Sequence, residues 1–138
     1  MNMHTTNYFN TFIEVAGDCP ATRGTIPPGA AGSETIASCQ FRMIRENPYR
    51  FTSDEVIFRT WADRQNPEVE DKEEARVRFF SKGQPCLRSS PLVKRYGWGI
   101  HSDQEGKVAL FGVETDDYLK ILNDSKIIKI KGMRTTRK

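Results

Sequence analysis

The stretch WGIHSDQEGKVALFGV, residues 98–113, holds two alternating runs around a turn. Trp98, Ile100 and Ser102 share one face and Gly99 and His101 the other, as the two-residue period of a strand requires. Asp103, Gln104, Glu105 and Gly106 interrupt the alternation, and residues 108–113 resume it. A β-hairpin is expected, and with it an antiparallel sheet.

Towards the C-terminus, Thr115 is placed to cap a helix whose first turn carries Asp116 and Asp117 at the positive end of the macrodipole. Tyr118, Leu119 and Leu122 form its apolar face. A final strand over 126–131 is expected to turn Ile128 and Ile130 inward and Lys129 and Lys131 outward, as in a lysine-protected edge. Towards the N-terminus, residues 9–16 alternate as a strand, and the Gly- and Pro-rich stretch 17–32 reads as a long surface loop. Ser33 is the expected cap of a helix with Ile36, Ala37, Phe41 and Ile44 at helical spacing, stopped by Asn47-Pro48. Thr52 and Glu55 form a capping box before a second helix, with Val56, Ile57 and Trp61 on its apolar face. Val77 and Phe79 alternate with Arg76 and Arg78, which suggests a short strand with one basic face. The order β-α-α-β-α-β-β-α-β implies an α+β fold, a largely antiparallel sheet of about five strands with about four helices. Residues 1–138 are expected to make a single compact domain, with 1–7 and 133–138 as flexible tails.

Composition supports a folded chain. Of its 138 residues 37% are hydrophobic and the net charge is only +3. No apolar run approaches the roughly 20 residues needed to span a bilayer. The start MNMHTTNYFN lacks both a basic n-region and an apolar h-region, so a cytoplasmic protein is expected, with no membrane contact. Cys19, Cys39 and Cys86 are widely spaced and odd in number, which favours reduced thiols over a disulfide framework or a zinc site. His4 and His101 have no short-spaced partner, and neither a metal nor a cofactor is expected. Charge is segregated: residues 63–74 hold six acids against Arg64 and Lys72, whereas 75–102 and 125–138 hold bases and no acid. Such segregation fits an anionic partner, or stretches that face each other or solvent.

Chemistry concentrates in SKGQPCLRSSPL, residues 81–92. Ser90 followed by Pro91 is an N-cap with proline at the first helical position, and Gly97 closes the short helix. Free N–H groups beside Arg88, Ser89 and Ser90, with Lys82 nearby, are what a phosphate or carboxylate needs. The helix starts at Ser33 and Thr52 carry Glu34, and Asp54 with Glu55, where an anion would sit; the start at Ser90 carries no acid. The competing interpretation is a capped helix with a solvated Arg88. Cys86, near Lys82 and Arg88, is the best nucleophile candidate of the three cysteines, with His101 as its base and Asp103 behind it, although an inert buried cysteine is the commoner case. Trp98, set between Gly97 and Gly99, either stacks on a flat ligand or packs against the long loop, the preferred reading.

The motifs TFIEVAGDCPATRGTIPP (11–28), ENPYRFTSDE (46–55), FFSKGQPCLRSSPLVKRYGWGIH (79–101) and GKVALFGVE (106–114) are distinctive together. They resemble a family of small bacterial proteins classed only as a domain of unknown function. The resemblance covers most of the chain, least around 66–75, and implies a compact domain but no activity, cofactor or site residue. The leading functional expectation is a non-enzymatic module binding an anionic small molecule, nucleotide or nucleic acid through Arg88, Ser89, Ser90, Lys82 and Trp98. The alternatives are an enzyme using Cys86 and His101, and a protein-interaction module whose acidic 63–74 stretch docks a basic partner.

Overall fold

The computed structural model describes residues 3–29, 34–65 and 68–136. The elements in chain order are β1 (Thr11–Glu14), α1 (Ile36–Glu46), α2 (Ser53–Asp63), α3 (Lys72–Phe79), a single 3-10 turn (Leu87–Ser89), α4 (Pro91–Lys94), β2 (Trp98–Ser102), β3 (Val108–Gly112), α5 (Asp116–Leu122) and β4 (Ile128–Lys131). The fold is α+β, with one mixed sheet of four strands in the order β3-β2-β1-β4. The hairpin forms as expected, Ile100 opposite Leu110 and Ser102 opposite Val108. β1 lies antiparallel to β2, with Phe12 opposite His101, and parallel to β4, with Ile13 opposite Ile130.

The pleat sorts the strands onto two faces. Ile13, Trp98, Ile100, Val108 and Leu110 join Cys39, Met43 and Ile44 of α1, Val56 of α2, and Leu87, Leu92 and Val93 in the main core. On the other face Phe12 meets Tyr118 of α5 edge-to-face, ring centroids 4.9 Å apart. Gly99 allows that approach, because a Cβ there would lie 2.4 Å from Phe12 Cζ. A smaller cluster of Phe58, Ala62 and Phe80, with Trp61 and Phe79 beside it, joins α2 to α3.

Several expectations are corrected. Residues 76–79 are helical, not extended: Asp71 caps α3 by accepting from the Glu74 N–H, Glu73 and Glu74 occupy its first turn, and Arg76 and Arg78 its last. Acids at the start and bases at the end suit the helix dipole, so part of the charge segregation is satisfied within one helix. Four alternating residues were too short a run to separate strand from helix. The cap of α1 is Thr35, which exchanges hydrogen bonds with Ser38, while the expected cap Ser33 lies outside the described residues. Gly97 is not the helix stop: Arg95 is the C-cap, and Gly97, at φ +78°, turns the chain into β2 where a Cβ would meet Arg23 O at 2.4 Å. Of the residues expected inward, Tyr118 and Ile130 do pack inward, whereas Ile128 and Leu119 are 57% and 56% exposed.

The described parts of the expected tails are tied down. The Thr6 N–H and hydroxyl donate to Asp54 Oδ1 at 2.6 and 2.7 Å, and His4 N–H donates to Phe80 O. Met133 N–H donates to Arg88 O, and the N–H groups of Thr135 and Thr136 reach the Asp18 carboxylate, holding its pKa below the usual range.

Candidate functional site

Proline at 85 and at 91 interrupts regular structure on either side of the Leu87–Ser89 turn, so residues 84–91 cross the helical layer as an irregular strap. Between this strap and α1, α2 and the end of α3 lies a cleft of about 500 Å³. Ile36, Ile57, Trp61, Phe79, Pro85 and Pro91 supply its apolar walls. Trp61 and Phe79 stack with centroids 5.1 Å apart, forming one continuous aromatic side.

The polar groups are few and placed by specific bonds. Ser90, buried, accepts from the Leu92 N–H at 3.1 Å and donates its hydroxyl proton to Gln40 Oε1 at 2.6 Å. That exchange fixes the orientation of the Gln40 amide and leaves its NH2 end without an acceptor among the described residues. Gln40 is only 6% exposed and lines the cleft. No wholly buried side-chain nitrogen or oxygen lacks a partner among the described residues. Cys86 Sγ, also on the wall, lies 3.4 Å from the Tyr8 hydroxyl. Burial, the hydrogen bond to Cys86 and the charge Cys86 would carry as a thiolate push the Tyr8 pKa up to about 12, against an opposing effect of Arg88. Tyr8 therefore keeps its proton at neutral pH. Among the described residues Arg64 is the single charged one on the wall; it donates one N–H to Glu34 O at 2.7 Å and is otherwise exposed.

The residues singled out from sequence are divided by this geometry. Cys86, Ser89 and Ser90 line the cleft. Arg88 is held elsewhere, its Nε donating to Lys131 O of β4 at 2.6 Å. Lys82 is exposed on the turn after α3, away from the cleft wall. Trp98 is in the main core, as the preferred reading had it: its indole N–H donates to Thr25 O at 2.7 Å, and Arg45 covers its ring at 5.1 Å. The expected convergence of Arg88, Ser89 and Ser90 on an anion is not assembled, because the one hydroxyl proton of Ser90 is committed to Gln40 and α4 is a single turn.

The proposed pairing of Cys86 with His101 fails on topology. His101 stands on the α5 face of the sheet with Phe12 and Phe111, its Nδ1 2.7 Å from the Tyr49 hydroxyl. Cys86 lies on the opposite, α1–α2 side. Asp103 does not back His101 either; its Oδ1 accepts from the N–H groups of Glu105 and Lys107 and shapes the hairpin turn. Burial holds the His101 pKa below its ordinary value, with Asp103 and Asp124 opposing that shift.

Comparison with known families adds one decisive match: a family of unknown function, DUF6157, spans residues 3–138. The chain belongs to this family. No curated protein and no solved structure matches it. What the site can do therefore rests on its own residues. Gln40, Thr60, Trp61 and Arg64, all on the wall, were missed from sequence. A signal for one of them was present: Gln40 sits between Ala37 and Ile44 on the apolar face of α1, where a polar residue calls for a buried partner. No described helix is long and apolar enough to cross a membrane.

Proposed function

We propose that the protein binds a small, largely apolar molecule carrying a hydrogen-bond acceptor, with an anionic end directed to Arg64. The observation that carries this reading is a cleft of about 500 Å³ with aromatic and aliphatic walls, lined also by the almost wholly buried Gln40, whose NH2 has no acceptor among the described residues. Apolar clefts with few oriented polar groups are the usual form of small-molecule sites. The reading keeps Ser89 and Ser90 as site residues and replaces Arg88 with Arg64. A nucleic-acid surface is less well supported. The bases of 75–102 are dispersed: Arg76 lies over Phe58 and Phe80, Arg78 pairs with Glu74, and Arg88 with β4.

The test is titration with 8-anilinonaphthalene sulfonate, an aromatic anion, followed by probe fluorescence and quenching of Trp61. Saturable binding is expected. Ile36→Glu, which places a carboxylate at the exposed lip of the cleft, should weaken binding by about ten-fold, and Arg64→Gln by about five-fold. Absence of saturation, or equal affinity in both variants, overturns the reading.

A further inference from the structure

Resting on the small-molecule reading, we propose that the ligand is a phosphate monoester of an apolar alcohol, its hydrocarbon body in the cleft and its phosphate in a second, basic cavity that adjoins it. This second cavity, of about 530 Å³, lies between the start of α1 and the end of α4. Ile36, Arg64, Ser89 and Pro91 line both cavities, so the two share a boundary. They differ in chemistry. The first has aromatic and aliphatic walls and, among the described residues, Arg64 as its one charged group; the second adds Lys94 and Arg95 to Arg64.

The charge on the second cavity selects the head group. Its one carboxylate among the described residues, Glu34, is taken by Arg42 through two hydrogen bonds of 2.9 Å. Among the described residues none of Arg64, Lys94 and Arg95 forms an ion pair. Arg64 is the C-cap of α2, and Lys94 and Arg95 end the single turn of α4, so helix carbonyls offset part of this charge. The offset is at most about half a charge for each helix, which leaves a surplus of about two positive charges. A phosphate monoester near neutral pH carries about two negative charges and three acceptor oxygens, a better match than the single charge of a carboxylate or sulfonate. The Arg64 guanidinium, held by its bond to Glu34 O at 2.7 Å, stands at the boundary where body and head group would join. An apolar body fits the first cavity better than a nucleoside does. Gln65 and Gln84, two of its few amides, commit an N–H each to Trp61 O and Phe79 O and leave little to read a base edge.

Isothermal titration calorimetry with naphthyl phosphate and naphthol reads the two cavities separately. Naphthyl phosphate should bind about thirty-fold more tightly than naphthol at about pH 7.5, and the advantage should shrink to about five-fold at about pH 5, where the ester has lost its second charge. Glu34, the carboxylate facing Arg64, Lys94 and Arg95, has its pKa held below the usual range by Arg42, so the change with pH reports the ester. Lys94→Gln combined with Arg95→Gln should weaken naphthyl phosphate about ten-fold and leave naphthol within about two-fold, because neither residue lines the apolar cleft. Equal affinity for the two probes, an advantage that does not change with pH, or one that survives the double substitution overturns the proposal. Tighter binding of adenosine monophosphate than of naphthyl phosphate overturns it as well. If the sulfonate probe saturates and responds to Arg64→Gln while the phosphate brings no advantage, this inference fails and the binding reading stands; if neither the sulfonate nor naphthol binds, both fail.

Discussion

Replacing Asp54 with alanine should be among the most damaging single changes outside the apolar core. Its buried carboxylate accepts three hydrogen bonds, from Thr5 Oγ1 at 2.7 Å, Thr6 N at 2.6 Å and Thr6 Oγ1 at 2.7 Å. Its own N–H, one of the free donors in the first turn of α2, is satisfied by Asn7 Oδ1 at 2.9 Å. One helix start thus holds residues 5–7 and, directly after them, Tyr8. Hydrogen bonds to charged groups contribute about 1.5–3 kcal/mol each, but these three share one acceptor group and do not add fully. Thr5 is exposed and Thr6 buried, so the main cost is a buried Thr6 N–H left without its acceptor, while the Thr6 hydroxyl keeps Ser53 Oγ at 2.9 Å. A loss of about 3 kcal/mol follows, or about 10 °C in melting midpoint for a chain of this size. Asp54→Asn keeps an acceptor oxygen at the Oδ1 position and should lose about half as much. Urea unfolding and thermal melting of both variants provide the assay. A change below about 0.5 kcal/mol for Asp54→Ala would refute the argument that this carboxylate anchors the N-terminal segment.

Two further expectations separate local roles. Ser90→Ala should cost about 2 kcal/mol by urea unfolding, since it removes the α4 cap and the donor to the buried Gln40 Oε1, whereas Arg88→Ala, at an exposed site, should cost under about 0.5 kcal/mol. Because burial lowers the His101 pKa on folding, the unfolded chain binds more protons near pH 6.5, and stability should fall as pH drops through that value. Thermal melting between about pH 7.5 and about pH 5.5 should show that decline in the unmodified protein and a shallower one in His101→Gln.

What could be read in the sequence was mainly local. The β2–β3 hairpin carries its alternation and its turn within one short segment, and α2 announces itself by the Thr52–Glu55 box. The helix α3 stands where a strand is expected, although Asp71, Glu73 and Glu74 form a legible start, because the four residues Arg76 to Phe79 fit either period. The parallel pairing of β1 with β4 could not be read, since nothing within either strand encodes a partner at such separation. The site divided in the same way. The strap with Cys86, Ser89 and Ser90 stood out by composition, but its partners Gln40, Trp61 and Arg64 come from two helices whose approach is a tertiary fact. Arg88 and His101 were assigned by sequence proximity and alternation, and the fold sends one to β4 and the other through the sheet to its far face.

The position of β1 has a consequence for biosynthesis. This strand is near the start of the chain, yet its two neighbours are β2, which begins at Trp98, and β4, and the bond from Asn10 Nδ2 to Lys126 O closes 116 positions of sequence. At about 5–20 residues per second, β1 spends on the order of 5–20 s outside the ribosome before its first partner strand exists. Phe12 and Ile13, almost wholly inaccessible in the finished fold, face water or a nascent-chain chaperone throughout that interval. A central strand of the sheet is therefore the earliest of the four to be translated and must wait for the hairpin and β4 before it is covered, which commits the sheet to assembly only after β4 has been made.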